Sequence, residues 1–335
     1  MKTKEIVIEN APLIEGLRFR HFAGKSDYPK MLEILERNAE ADDDEFASTL
    51  KDLEHDYSHL TNCDINEDMI LVDVKDKTVA YGRVSWYQID DTLERIYSQF
   101  IKIIPEWRNM GIEQAMMDWN EKRLQVIAAE HPEDGKRYYQ SYSLENKEKL
   151  NAILKEMGYQ PNRYFFEMDR PLDEIPEVAL PEGNEVRPAH KEDHRRIWDA
   201  SIDAFRDHWG FSQPQEEDYI SYSTSRFFQP DLWQVAWDGD EVVASILNYI
   251  DVEYNKKFDK LCGWTEEIST RKDWRRRGIA KALIARSMQM HKDHGMTMVA
   301  LGVDTENPNG ALQLYESMGY KKKRTMITFR KEITA

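Results

Sequence analysis

Apolar and polar positions along the chain repeat with two periods, and the alternation between them predicts the elements. Residues 194–205 carry Ile197, Ala200, Ser201 and Ala204 on one face at helical spacing. Residues 233–237 and 241–247 alternate instead, around Asp238-Gly239-Asp240, which predicts a β-hairpin. Residues 263–270 predict a further strand. Residues 278–291 predict a helix, with Ala282, Leu283, Ala285 and Met288 among its apolar positions. A short apolar strand over 298–303, a helix over 310–318 and a strand over 325–329 complete this half. With a strand ending at Val186-Arg187, the order is β-α-hairpin-β-α-β-α-β. The first half runs the same way, through a helix over 28–39, a hairpin over 69–87, a strand over 93–104 and a helix over 112–129.

The halves also match residue by residue. Trp107, Arg108, Gly111 and Ile112 recur in register as Trp274, Arg275, Gly278 and Ile279, and Met157-Gly158-Tyr159 recurs as Met318-Gly319-Tyr320. Upstream, Leu17-Arg18-Phe19-Arg20 and Glu185-Val186-Arg187-Pro188 each open a strand that leads into a helix. Matches in the same order at similar spacing predict two copies of one mixed α/β domain. Pro171, Pro176, Pro181 and Gly183 interrupt regular structure between them. The expected division is a first domain over 1–170, a linker over 171–184 and a second domain over 185–335.

Length and composition agree with two cores. A chain of 335 residues exceeds the size at which one core stops growing. Its 41% apolar and 32% charged residues suit a globular protein. Forty-six Lys and Arg against 62 Asp and Glu leave a net charge of −16, a field that repels nucleic acid and admits a cationic or neutral partner. The opening residues lack the apolar run of a secretory leader, and no segment nears the roughly 18 apolar residues of a membrane helix. The expectation is a cytoplasmic protein, monomer or homodimer, without nucleic-acid or membrane partners. Cys63 and Cys262 stand far apart without metal-type spacing, so they read as free thiols and no metal site is expected.

Chemistry concentrates at Arg275-Arg276-Arg277-Gly278-Ile279-Ala280, a basic loop ending in glycine between a strand and a helix. The amides and dipole at a helix N-terminus bind anions, the arginines add charge, and Gly278 and Ala280 leave room for a diphosphate. Taken alone, three arginines on a solvated turn would look the same. Neither the dinucleotide-binding nor the P-loop glycine spacing is present.

Arg-x-x-Gly-x-Ala in this setting resembles motif A of the GNAT N-acetyltransferase superfamily, whose loop cradles the pyrophosphate of coenzyme A. Residues 303–320, with Asn307 after a strand and Leu314-Tyr315-Glu316 on a helix closed by Gly319-Tyr320, resemble motif B of the same family. The resemblance extends to duplicated acetyltransferases of the mycothiol synthase type, in which the C-terminal half is active. It implies an α/β (α+β) fold of two tandem GNAT-like domains, each a mixed, mostly antiparallel central sheet flanked by helices. It also implies acetyl-CoA as cofactor, held by Arg275, Arg276, Arg277, Gly278, Ile279, Ala280 and Asn307. Backbone groups along Ile268, Ser269 and Thr270 would bind the acetyl carbonyl and pantetheine amides where two strands splay. Tyr315 matches the residue that protonates the departing thiolate.

Glu266 and Glu267 flank those donors and point to opposite faces by strand alternation. Either one is a candidate to take the proton from the amine; family position leans to Glu266. The first copy puts Glu113 where Ala280 sits and Leu154 where Tyr315 sits, which implies a non-catalytic scaffold. Acceptor recognition is expected from residues 205–211 and 216–219, where aromatic and acidic side chains suit an ammonium group. The function implied is N-acetyl transfer to a primary amine of a small molecule. Protein or peptide N-terminal acetylation and a non-catalytic acyl-CoA-binding module stay open.

Overall fold

The computed structural model describes residues 4–333. They divide into two compact units, one running to Asn162 and including the residues from Ile327 on, the other Arg163–Met326.

The first unit contains β1 (Glu5–Ile6), β2 (Leu17–Arg20), α1 (Tyr28–Ala41), α2 (Leu50–Ser58), β3 (Met69–Val74), β4 (Lys77–Gln88), β5 (Arg95–Ile103), α3 (Ile112–Ala129), β6 (Arg137–Leu144) and α4 (Glu148–Glu156). Strands β1 to β5 pair antiparallel in sequence order, and β5 pairs parallel with β6. Every residue of β3, Met-Ile-Leu-Val-Asp-Val, is buried. One core gathers Met31, Ile34, Leu71, Ile112 and Met116, and another Tyr97, Leu124, Leu154 and Tyr159 with Phe329 from the end of the chain.

The second unit begins within β7 (Gln160–Pro171) and continues through β8 (Glu185–Arg187), α5 (His194–Phe205), α6 (Glu216–Thr224), β9 (Gln234–Asp238), β10 (Glu241–Ile246), α7 (Val252–Phe258), β11 (Cys262–Trp264), β12 (Ser269–Thr270), α8 (Ile279–Asp293), β13 (Met298–Asp304), α9 (Ala311–Ser317) and the start of β14 (Lys321–Glu332). Strands β12, β10, β9 and β8 form one antiparallel group. In the other, β7 pairs antiparallel with β13 from Asp304↔Phe165 to Met298↔Pro171, and β11 pairs parallel with the far side of β13. Sequence order and packing diverge at β7, which precedes most of the proline-rich stretch yet contributes Met168, with Leu172 just after it, to the core of the second unit.

Two features depart from the expected elements. Residues 263–270 are not one strand, because β11 and β12 lie in different strand groups with residues 265–268 between them. Helices α2, α6 and α7 are additional. They are short and closed by local caps, as where the Asp251 carboxylate accepts the Tyr254 N–H at 2.9 Å.

Helix α8 buries Ala282, Leu283, Ile284 and Met288 against β9, β10 and β13, and its His291 is fully buried. That ring lies over Gly263, where a Cβ would stand 2.1 Å from Nδ1. A close-packed interior has no slack for such a carbon. Gly263→Ala should therefore lower unfolding stability by about 1–3 kcal/mol, read as a shift in the urea midpoint.

Candidate active site

The site starts from a miscount in a strand pair. Strands β10 and β12 pair Ala244↔Thr270 and Ser245↔Ser269, a register that would set Glu267 opposite Leu247. The Leu247 N–H instead donates to the Glu266 carbonyl at 3.0 Å, and Glu267 adopts φ 49°. One extra residue is accommodated as a β-bulge. The bulge revises the expected alternation of Glu266 and Glu267, since two successive residues now face one partner. In the first unit, β4 and β5 keep one register from Gln88↔Arg95 to Ala80↔Ile103.

On its other side β11 follows β13 as far as Trp264↔Ala300, the Thr265 N–H donates to the Ala300 carbonyl at 2.9 Å, and the strands then part. The Arg271 N–H donates to Val243, so residues 269 and 271 face β10. By antiparallel alternation the N–H groups of Ile268 and Thr270 turn the other way, into the gap that β13 leaves. The Ser269 hydroxyl is buried against that of Ser245 at 2.9 Å.

Glu266 reaches across the gap, where its carboxylate accepts the Gly302 N–H at 3.2 Å. Burial above all, then the charge of Glu267, pushes its pKa up to about 8, although the Gly302 N–H pulls the other way. Glu267 keeps contact with solvent, but the protein mass around it raises its pKa as well. Among the described residues neither carboxylate forms an ion pair with Lys or Arg. Tyr315 is buried on α9, its ring centroid 6.1 Å from that of Tyr320. Burial, then the charges of Glu266 and Glu267 with Tyr320 between them in weight, holds its hydroxyl well above the ordinary tyrosine range.

Two further tyrosines share this field and were not singled out by sequence. Burial and then Glu267 raise the pKa of Tyr222, and burial and then Glu266 raise that of Tyr249. Both lie in aromatic neighbourhoods, the one signal that could have marked them. The segments expected to recognise the acceptor also make contacts within the protein. Asp207 grips Arg275, Trp209 packs under the Arg163 guanidinium at 5.1 Å, and Tyr219 lies beneath Arg195 at 4.8 Å.

The basic loop sorts into two roles. Arg275 is engaged by the protein itself: its Nε donates to the Thr270 carbonyl at 3.0 Å, and its terminal nitrogens to Ala204 at 2.8 Å, to both Asp207 oxygens and to Asn309 at 3.2 Å. Arg108 does the same in the first unit, with Ile103 at 3.1 Å, Asp42 at 2.6 Å and Asn38 at 2.7 Å. Backbone shape repeats too. Arg276 and Gly278 have φ 62° and 89°, and Asn109 and Gly111 have φ 61° and 84°.

Beyond the glycine the two loops differ. A Cβ on Gly278 would meet nothing within 4 Å, no side chain caps the first turn of α8, and Arg276 and Arg277 are exposed, Arg277 donating to Asp273 at 2.7 Å. Ile279 anchors the turn in the core and Ala280 is half-buried. In the first unit the buried Glu113 turns its carboxylate onto the Asn109 N–H at 2.7 Å. Asn307 shapes the approach to α9 by accepting the Asn309 N–H at 2.8 Å.

Residues 194–320 match the model of the acetyltransferase (GNAT) family. They are a GNAT acetyltransferase domain. The chain is 25% identical over 243 residues to mycothiol acetyltransferase of Thermobifida fusca, covering 66% of this chain and 70% of that one. It superposes on a GCN5-related N-acetyltransferase from Sphaerobacter thermophilus with TM-score 0.72 at 24% identity, over 96% and 98% of the chains. It also matches a tandem GNAT protein from the clavulanic acid biosynthesis pathway, with TM-score 0.65 at 12% identity over 95% and 99%.

The chain thus carries a GNAT acetyltransferase domain, with acetyl-CoA as its donor. The open cradle at Gly278 fits a diphosphate, because among the described residues no side chain caps this helix N-terminus and two exposed arginines adjoin it. Among the described residues no helix is long and apolar enough to cross a membrane, and no group of His, Cys, Asp and Glu is arranged to hold a metal ion.

If the residue after Ile279 decides access to the cradle, Ala280→Glu should close it as Glu113 closes its own loop. Titration calorimetry should show acetyl-CoA affinity falling by about a hundredfold or more, the loss of a charge-assisted diphosphate contact, with the unfolding temperature nearly unchanged.

Proposed function

We propose that the second unit transfers the acetyl group of acetyl-CoA to a primary amine of a small molecule by direct attack of the amine on the thioester. The observation that carries this reading is the pairing of an ion-pair-free, basic Glu266 with a proton-retaining Tyr315 where two strands part. Tyr222, Tyr249 and Tyr315 stand around the carboxylates, surroundings that suit a compact ammonium-bearing acceptor.

Acetyl-CoA supplies the acyl group and a thiol leaving group. Exposed Arg276 and Arg277 and the amides of Gly278, Ile279 and Ala280 hold its diphosphate, while Arg275 positions the loop through Asp207. Asn307 sets the turn that carries α9. The N–H groups of Ile268 and Thr270 donate to the acetyl oxygen, where negative charge grows, and need no rearrangement to do so. Glu266 takes the ammonium proton, directly or through a water, so that the amine lone pair is free to form the new C–N bond. The C–S bond breaks, the Tyr315 hydroxyl gives its proton to the sulfur, the second proton shed by the new amide nitrogen restores the Tyr315 hydroxyl, and the proton on Glu266 leaves to solvent.

In the same reading the first unit is a non-catalytic scaffold. Glu113 fills its loop, Leu154 replaces Tyr315, and Gln99 and Phe100 stand at the positions of Glu266 and Glu267.

Thiol release from acetyl-CoA with a panel of small amines and of peptides with free N-termini tests the proposal. Turnover of a small amine is expected, and turnover of peptides alone would overturn it. A base must be ionised to act, so kcat/KM should rise with pH toward the Glu266 pKa of about 8. Glu266→Gln should lose that limb and fall by about a hundredfold or more.

Tyr315→Phe should be milder. A thiolate of pKa near 8.5 leaves without strong assistance, so a loss of about tenfold is expected in kcat, and an unchanged kcat would remove Tyr315 from the reaction.

A further inference from the structure

Two carboxylates face one reacting amine, yet aminolysis asks for a single base. Glu266 has a defined anchor in the Gly302 N–H. The neighbouring Glu267 carboxylate has no such anchor among the described residues, and the bulge holds its backbone at φ 49°, a left-handed conformation that costs a non-glycine residue energy. That backbone turn keeps a second carboxyl group beside the first.

The protein does not neutralise this charge. Cations that border the region are already engaged: Arg226 pairs with both oxygens of Asp251, Arg271 with Asp203 and Glu241, and Arg275 with Asp207. The surroundings are aromatic instead. The Tyr222 ring lies 5.1 Å from Trp198 and 6.3 Å from Trp233, both stacked, and Tyr249 lies 4.9 Å from Phe227 and 6.1 Å from Trp264. An uncompensated carboxylate beside aromatic faces is a recognition element for an alkylammonium ion.

Proton transfer adds a second constraint. Once Glu266 has taken the proton of a monoamine, Glu267 faces the site with no Lys or Arg of the described residues paired to it. An acceptor with a second ammonium group removes that imbalance. We propose that Glu267 is the counter-ion for a second positive charge on the acceptor, and that the acceptor is a diamine or polyamine. This rests on the reading of the second unit as an amine acetyltransferase.

Putrescine and butylamine differ only in a terminal ammonium, so the preference between them isolates this role. With the full chain and saturating acetyl-CoA, thiol release should give a kcat/KM for putrescine about tenfold or more above that for butylamine, carried by KM. Glu267→Gln should bring the ratio to about one, and Glu267→Lys should invert it, since the added ammonium repels the diamine.

Turnover of both amines with no preference in the wild-type protein overturns this inference and leaves the acetyl-transfer reading standing. A preference that survives in Glu267→Gln overturns it equally, because Glu267 would then act only on the basicity of Glu266. Absence of thiol release with any amine would instead fail the acetyl-transfer reading.

Discussion

Between Leu247 and the pair Glu266–Glu267 two residues face one, and the ladder has to absorb the surplus. It does so by a left-handed turn at Glu267 just where β11 has left β13. Both events free backbone groups within a few residues of each other, and both are needed. Without the bulge the strand would present its carboxylates to opposite faces. Without the parting of β11 and β13, the amides of Ile268 and Thr270 would be consumed by a neighbouring strand. The first unit parts its strands at the corresponding place, with β5 and β6 paired only to Ser98↔Gln140, but its β4 and β5 pair without a bulge. Splaying belongs to the fold, and the bulge distinguishes the unit that carries the carboxylates.

The duplication separates architecture from chemistry inside one molecule. Residues present in both copies serve the scaffold. Arg108 and Arg275 tie their loops to the C-terminal end of the preceding first helix through Asp42 and Asp207, and Gly111 and Gly278 take the same left-handed turn. Residues present in one copy only, such as Arg276, Arg277, Ala280, Glu266 and Tyr315, are those left exposed in the cradle or gathered at the parted strands. A carboxylate two residues past the glycine is enough to change the meaning of an otherwise identical loop, because it supplies from within the anion that the amides would otherwise bind.

What could be read from sequence depends on the range of the interaction. The loop, the helix after it and the Asn307-to-Tyr320 segment are local, with glycines at left-handed positions and periodic apolar faces, and they were legible. Arg275 was not, because its partner Asp207 lies 68 residues away. The in-register recurrence of Arg108 held the clue, since an arginine kept in a copy with a blocked loop has another task. The bulge was invisible as well, because Glu-Glu-Ile-Ser-Thr alternates acceptably and only the Leu247 register exposes the extra residue. Tyr222 and Tyr249 reach the site from α6 and from the segment after β10, elements whose placement depends on tertiary packing rather than on local pattern.

Charge links the groups in a way that suits the proposed order of events. Burial above all, and then Glu266 and Glu267 where they are ionised, hold the proton on Tyr315, which makes the tyrosine a poor acid. When Glu266 takes a proton from the amine, its charge disappears, and one source of that restraint goes with it. Tyr315 thereby becomes more acidic just as the sulfur comes to need a proton. With Glu266 as the proposed base and Tyr315 as the proposed acid, the two would be coupled through space rather than through a shared hydrogen bond.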